Sequence, residues 1–271
     1  MTRTNQTVQH QKETAMIKTV LPAVFGAVSI LAVLQASDAH AQGPVLKIAT
    51  EGAFEPFNYT APSGKLEGFD VDVTNAACAK AGLTCEWVRQ DWDGLIPGLL
   101  AGKFDAISAS VSITDERKKR VAFTNKLYQT ALRFVAKKGA LPNSEPGTLK
   151  GKSVGAQRAT IASTYLQNAD LGVDIKLYDT QDAMRLDLEA GRIDVLLADE
   201  VATTRGFLNK PEGQEFATFG TPIKVGDGIG IALRKDEPNA VEKLNEGIAA
   251  IHQDGTFQKL SAQYFSGFDL H

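Results

Sequence analysis

The feature that most limits how this chain can fold is a seven-residue pattern that occurs twice. Ala101-Gly102-Lys103-Phe104-Asp105-Ala106-Ile107 is matched by Ala190-Gly191-Arg192-Ile193-Asp194-Val195-Leu196. Each copy reads as a helix end, a glycine that closes it, a basic residue, and an apolar strand carrying one aspartate. Each strand then runs into small or polar residues, Ser108 to Ser112 in the first copy and Ala198-Asp199-Glu200 in the second. A helix-strand unit used twice implies two α/β lobes. Each would deliver polar groups from the C-terminal end of a strand, where open α/β sheets bind their ligands.

The segments around the two copies fit that plan. Val45 to Thr50 is a strand signal, followed by a polar loop from Glu51 to Phe57. Val71 to Ala81 reads as a helix, Cys85 to Val88 as the next strand, and Leu95 to Ala101 as a second helix closed by Gly102. Leu132 to Lys137 is an extended apolar run expected to cross from one lobe to the other. A Pro/Gly-rich surface loop follows from Gly139 to Gly147. Lys152 to Gln157 opens the second unit, and Thr160 is placed to start a helix. Gly226 to Arg234 is a second extended crossing; its glycines have the wrong spacing for a dinucleotide fingerprint and supply backbone freedom at a hinge. Val241, Leu244, Ile248 and Ile251 fall at helical spacing with Gly255 as the stop, and the last helix carries Phe257, Leu260, Tyr264 and Phe265 as core.

The first copy leads into a stretch with its own chemistry. After Ala106-Ile107-Ser108-Ala109-Ser110-Val111-Ser112, Thr114 precedes two acidic residues and Arg117, the signature of a strand, a small-residue loop and a helix start. Free backbone N–H groups, the positive end of the helix dipole and a planar guanidinium would converge there on a carboxylate or phosphate. Lys118-Lys119-Arg120 beyond it reads as a solvated helix face.

The N-terminus is of another kind. Met16-Ile17-Lys18, a mostly apolar run from Val20 to Leu34, and Ala39-His40-Ala41 are the parts of a secretory signal peptide, with cleavage expected after Ala41 and residues 1–15 as an N-terminal extension. The apolar run is too short for a transmembrane anchor. The remaining chain, with 43% hydrophobic residues overall, can bury a sizeable core. The full 271-residue sequence has 29 basic and 32 acidic residues, a net charge of −3, so no basic surplus invites nucleic acid. Cys78 and Cys85 are the sole cysteines, and in an exported chain a pair this close reads as a small-loop disulfide. With so few histidines, no metal set and no cofactor motif stands out.

Taken in order, Glu51-Gly52-Ala53-Phe54-Glu55-Pro56-Phe57, Gly68-Phe69-Asp70-Val71-Asp72, Asp91-Trp92-Asp93-Gly94-Leu95-Ile96-Pro97, Ser110 to Arg117, Phe123-Thr124, Gly191 to Asp194 and Asp254-Gly255-Thr256 through Leu260 resemble the periplasmic polar amino-acid-binding proteins of ABC importers. The lysine/arginine/ornithine-, histidine- and octopine/nopaline-binding members are the nearest in kind. The resemblance runs from Leu46 to Phe268. It implies an α/β, two-lobed periplasmic-binding-protein fold (type II), each lobe a mixed sheet flanked by helices, joined by a two-segment hinge. Residues 44–128 and 229–271 would form one lobe and residues 129–228 the other. The small-loop disulfide is also a feature of the basic amino-acid binders.

Carried over by position, the resemblance implies that Arg117 holds a ligand α-carboxylate with the N–H groups of Ser112 or Ser110 and of Ile161. Asp199 would hold the α-ammonium with Ser110 and Ser112, Phe54 and Trp92 would sandwich the ligand side chain, and Glu51 would meet its distal positive charge. Three positions depart from the lysine/arginine/ornithine binders: Ala109 stands for a pocket serine, Ile161 for a threonine, and Gln157 for an apolar residue. The expected function is a monomeric periplasmic receptor that captures arginine, lysine, ornithine or histidine and delivers it to an inner-membrane ABC permease. An opine receptor is the alternative, with Arg158 or Gln157 serving an added carboxylate. A dehydratase on the same scaffold would need Glu51 or Glu200 as general acid; the expectation is that the chain is not an enzyme.

Overall fold

The computed structural model describes residues 43–141, 146–268 and 270. The signal-peptide expectation over residues 1–41 lies outside them. The chain begins with β1 (Val45–Thr50), followed by the short strands β2 (Ala53–Phe54), β3 (Asn58–Thr60) and β4 (Leu66–Glu67). Next come α1 (Phe69–Lys80), β5 (Thr84–Arg89), α2 (Trp92–Leu100), β6 (Ala106–Ile107), α3 (Asp115–Lys118) and β7 (Ala122–Phe123). A second run consists of β8 (Leu132–Lys137), β9 (Ser153–Gln157), α4 (Ile161–Asn168), β10 (Asp174–Tyr178), α5 (Gln181–Glu189), β11 (Val195–Asp199), α6 (Glu200–Thr203) and β12 (Phe216–Ile223). The chain closes with β13 (Ala232–Leu233), α7 (Pro238–Gln253) and α8 (Thr256–Phe265).

Two five-stranded mixed sheets result, in the orders β5-β1-β6-β13-β7 and β10-β9-β11-β8-β12, with β2-β3-β4 as a small antiparallel sheet. The two large sheets repeat one plan. In each, three strands run parallel and a fourth, β13 or β8, pairs antiparallel with the third. The repeated aspartates explain why the sequence pattern recurs. Asp105 accepts from the Lys47 N–H at 2.9 Å, and Asp194 accepts from the Ser153 N–H at 2.8 Å. The backbone N–H of each aspartate bonds back to the carbonyl of the same partner. The side chain thus satisfies an N–H at the start of the neighbouring parallel strand that would otherwise be unpaired.

Leu132 to Lys137 is not the crossing that the sequence suggested. It is β8, held between β11 and β12. Its apolar residues are needed on both faces of a covered sheet, and Leu132, Phe134, Val135 and Ala136 are buried. The chain passes from the first sheet to the second between Phe123 and Leu132, and returns between Ile223 and Ala232. Ile229 bridges Ser112 and Tyr128 on the return. Gly228 has φ +105, and a Cβ there would lie 2.9 Å from the Tyr128 carbonyl, so the position requires glycine. Helix α2 begins at Trp92, three residues ahead of expectation, and carries Pro97 in its interior.

The core of the first lobe is aromatic. Phe57, Phe69, Tyr128, Phe257 and Phe265 are all buried to within 1% exposure, and Phe69 meets Phe57, Tyr128, Phe257 and Phe265 edge-on at 4.7–6.4 Å. Each such ring contributes roughly 2–3 kcal/mol from burial alone. Of the aromatics expected in the core, Tyr264 is partly buried and its hydroxyl donates to Asp72 at 2.6 Å. Cys78 and Cys85 are joined, tying α1 to β5.

Candidate functional site

Glu51 follows β1, and Trp92 opens α2. Ala109, Ser110 and Ser112 follow β6, and Arg117 sits in α3. From the second sheet, Gln157 ends β9, Ile161 opens α4 and Asp199 ends β11. These residues and Phe54 line one cavity between the two sheets, so all ten expected site residues are brought together there. The sequence reading did not single out Thr130, Thr160, Gln181 or Ile229, which also line it. Thr160 was expected only as a helix start, and Gln181 could have been found by the same signal: it follows Thr180, the N-cap of α5, directly after a strand.

Among the described residues, Arg117 is the one cationic residue on the cavity wall. Thr114 caps α3 by accepting the Arg117 N–H, so the side chain leaves the first turn of the helix. Its guanidinium donates to the Ser112 carbonyl and, across to the second lobe, to the Ala159 carbonyl, both at 3.0 Å, and lies 5.5 Å from the Trp92 ring centroid. Desolvation without a carboxylate partner pulls its pKa down to about 10. Thr160 and Ser163 form a capping box at the start of α4, with the Ile161 amide at the dipole's positive end.

Two acids line the same cavity. Burial pushes Asp199 up to about 6, although the Ala202 N–H donates to its Oδ1 at 2.9 Å and Thr130 also bonds it. Burial likewise pushes Glu51 up to about 6, opposed by the Gln157 amide, which donates to Glu51 Oε1 at 2.8 Å. Among the described residues, none of Arg117, Asp199 and Glu51 has an oppositely charged side chain within 4.0 Å. A third acid, Asp70, lies behind the wall. It is fully buried and receives Asn58 Nδ2 at 2.9 Å, Ser110 Oγ at 2.9 Å and the Tyr128 hydroxyl. Burial raises it to about 6 as well, and its neighbours' bonds oppose the rise.

Asp70 alters the expected role of Ser110. The Ser110 N–H and hydroxyl both donate to this carboxylate, which holds Ser110 at φ +51, a conformation non-glycine residues rarely adopt. Both of its donors are therefore committed to Asp70. Arg158, expected to serve an opine's extra carboxylate, does not line the cavity and pairs with Asp179 at 2.8 Å. Glu200 is also absent from the wall and pairs with Arg133 at 3.1 Å. Among the described residues no group of three His, Cys, Asp or Glu could hold a metal, and no helix is long and apolar enough to cross a membrane.

Two similar α/β lobes linked by two crossings, with a charged, aromatic-walled cavity between them, define a solute-binding protein. The relatives bear that class out. The chain belongs to the bacterial extracellular solute-binding proteins, family 3, whose family model matches residues 46–267. It is 41% identical to the L-arginine-binding protein of Pseudomonas aeruginosa, over 92% of this chain and 97% of that one. It is 39% identical to the lysine/arginine/ornithine-binding periplasmic protein of Escherichia coli, over 81% of this chain and 87% of the other. Among solved structures, an ancestral arginine-binding protein bound to arginine superposes with a TM-score of 0.76 at 31% identity, covering 83% of this chain and 99% of that one.

Proposed function

We propose that this chain is a periplasmic receptor for a basic amino acid, arginine, lysine, ornithine or histidine, which it hands as a monomer to an inner-membrane ABC importer after export by the signal peptide ending at Ala41. The observation that carries the reading is the set of three uncompensated charges on one cavity wall, one guanidinium and two carboxylates. A zwitterion with a cationic side chain is the ligand whose charges complement all three. Arg117, with the Ser112 and Ile161 N–H groups, would receive its carboxylate; Asp199 its ammonium; Phe54 and Trp92 its side chain; and Glu51 the distal cation. Ser110 and Ala109 would shape the wall. In our reading the lobes are residues 44–128 with 229–271, and 129–228. Charge-assisted bonds in such a desolvated site contribute on the order of 2 kcal/mol each. They form fully only when both lobes contribute, so binding would favour closure.

Titration calorimetry of the mature protein with arginine, lysine, ornithine, histidine and octopine tests this. A basic amino acid is expected to bind more tightly than octopine, because Gln157 and Arg158 are already committed to other partners. Failure of all four basic amino acids to bind overturns it.

A further inference from the structure

The far end of the cavity contains an amide relay. Gln181 Nε2 donates to Gln157 Oε1 at 2.9 Å. Gln157 Nε2 in turn donates to Glu51 Oε1 at 2.8 Å and to the Asp179 carbonyl at 3.0 Å. Three bonds fix the orientation of the Gln157 amide. Turned over, its carbonyl would face two acceptors and its NH2 would face another NH2. Both of its N–H groups are thus consumed by protein, and its oxygen accepts from Gln181. Gln157 and Gln181 are buried, at 2% and 8% exposure, so water does not substitute for these partners. What remains to meet a ligand is mainly acceptor in character: Glu51 has one oxygen outside the relay and the Gln181 carbonyl oxygen accepts no hydrogen bond among the described residues, against one remaining Gln181 N–H.

We propose that Gln157 and Gln181 are specificity-determining residues that act through Glu51, holding its carboxylate as an acceptor at the distal end of the pocket and so selecting a ligand tip that carries hydrogen-bond donors and no acceptor, a guanidinium above all. This rests on the basic amino-acid reading and deepens it. A guanidinium presents five N–H donors and no acceptor. Citrulline, with the same shape, places a carbonyl oxygen among those donors and carries no charge to pair with the Glu51 carboxylate. Because Glu51 follows β1 of the first lobe and Gln157 ends β9 of the second, the relay is complete only with the lobes together, so discrimination at the tip is tied to closure. The lowering effect of the Gln157 bond on the Glu51 pKa acts in the same direction, keeping Glu51 an acceptor.

The test compares arginine and citrulline affinities, by calorimetry, in the wild type, Gln157→Leu and Gln181→Leu. A purely structural role would weaken both ligands alike and leave their ratio unchanged. The relay predicts that Q157L lowers the arginine-to-citrulline preference by about tenfold or more, with citrulline unchanged or tighter, because an unsupported Glu51 takes up a proton and becomes a donor. Q181L, which removes the outer link alone, is expected to lower it about threefold to fivefold. Circular dichroism checks folding, and if Q157L does not fold, Q181L decides the matter. Ratios within about twofold of wild type overturn the relay while leaving the receptor reading intact. A wild type that binds no basic amino acid overturns that reading itself, and the relay with it.

Discussion

Asp199→Asn separates what this acid does for binding from what it does to the fold. Asparagine caps helices as well as aspartate, so the bond from the Ala202 N–H at the start of α6 persists and only the charge is lost. The bond an ammonium donates to a carboxylate is roughly twice as strong as one it donates to an amide oxygen, and the amide also turns an NH2 toward the site. About 3 kcal/mol should disappear, which is an arginine Kd raised roughly 100- to 200-fold. Stability should move the other way. Burial raises Asp199 from 3.8 to about 6 in the folded protein. A group whose folded pKa is raised contributes stability below its unfolded pKa, and that contribution is lost as pH rises through the folded value. At pH 7.5 the ionised acid therefore costs the ligand-free protein roughly 2–3 kcal/mol, with partial solvent access favouring the lower figure. D199N removes that cost and should raise the ligand-free Tm by about 5 °C at pH 7.5 and by little near pH 4. Calorimetric titration and thermal scans, without and with arginine, read both effects. An arginine Kd within threefold of wild type would refute the ammonium contact, and a lower ligand-free Tm would refute the argument from burial.

Protons and a cationic ligand compete for Glu51 and Asp199, so arginine affinity should fall below pH 6; between pH 8 and pH 5 the Kd should rise up to about 100-fold, about tenfold for each acid. Arg89, Asp91 and Asp182 act on Glu51, and Glu200 acts on Asp199, so the titration should be read against D199N, which leaves only the Glu51 part. Trp92→Ala removes a ring from the cavity wall and from the Arg117 guanidinium; a Kd increase of about 5- to 30-fold by calorimetry is expected, with loss of the Trp92 share of any fluorescence change on binding. The double variant Cys78→Ala/Cys85→Ala opens a loop with a sequence separation of 7; chemical unfolding should show a loss of about 2.5 kcal/mol, with arginine affinity unchanged because neither cysteine lines the cavity.

The sequence by itself pointed to the two-lobe plan and, through the family resemblance, to ten of the residues that line the cavity; for those at strand ends the reasons are local. A strand that ends in small polar residues before a helix, as at Ser108 to Arg117 and at Ala198 to Glu200, sends its polar groups to the end of a sheet whatever surrounds it. The repeated aspartate marks the same backbone bond in both lobes. What tertiary structure alone decided depends on groups far apart in the chain. β8 is a buried strand rather than a crossing because β11 and β12 flank it, and an apolar run reads the same in either role. Ser110 gives its donors to Asp70, a residue 40 positions away. Gln157 meets Glu51 across 106 positions. Hydrogen-bond partners at such separations leave no periodic trace, because each pairing is chosen by the packing of two lobes and not by the neighbours of either residue.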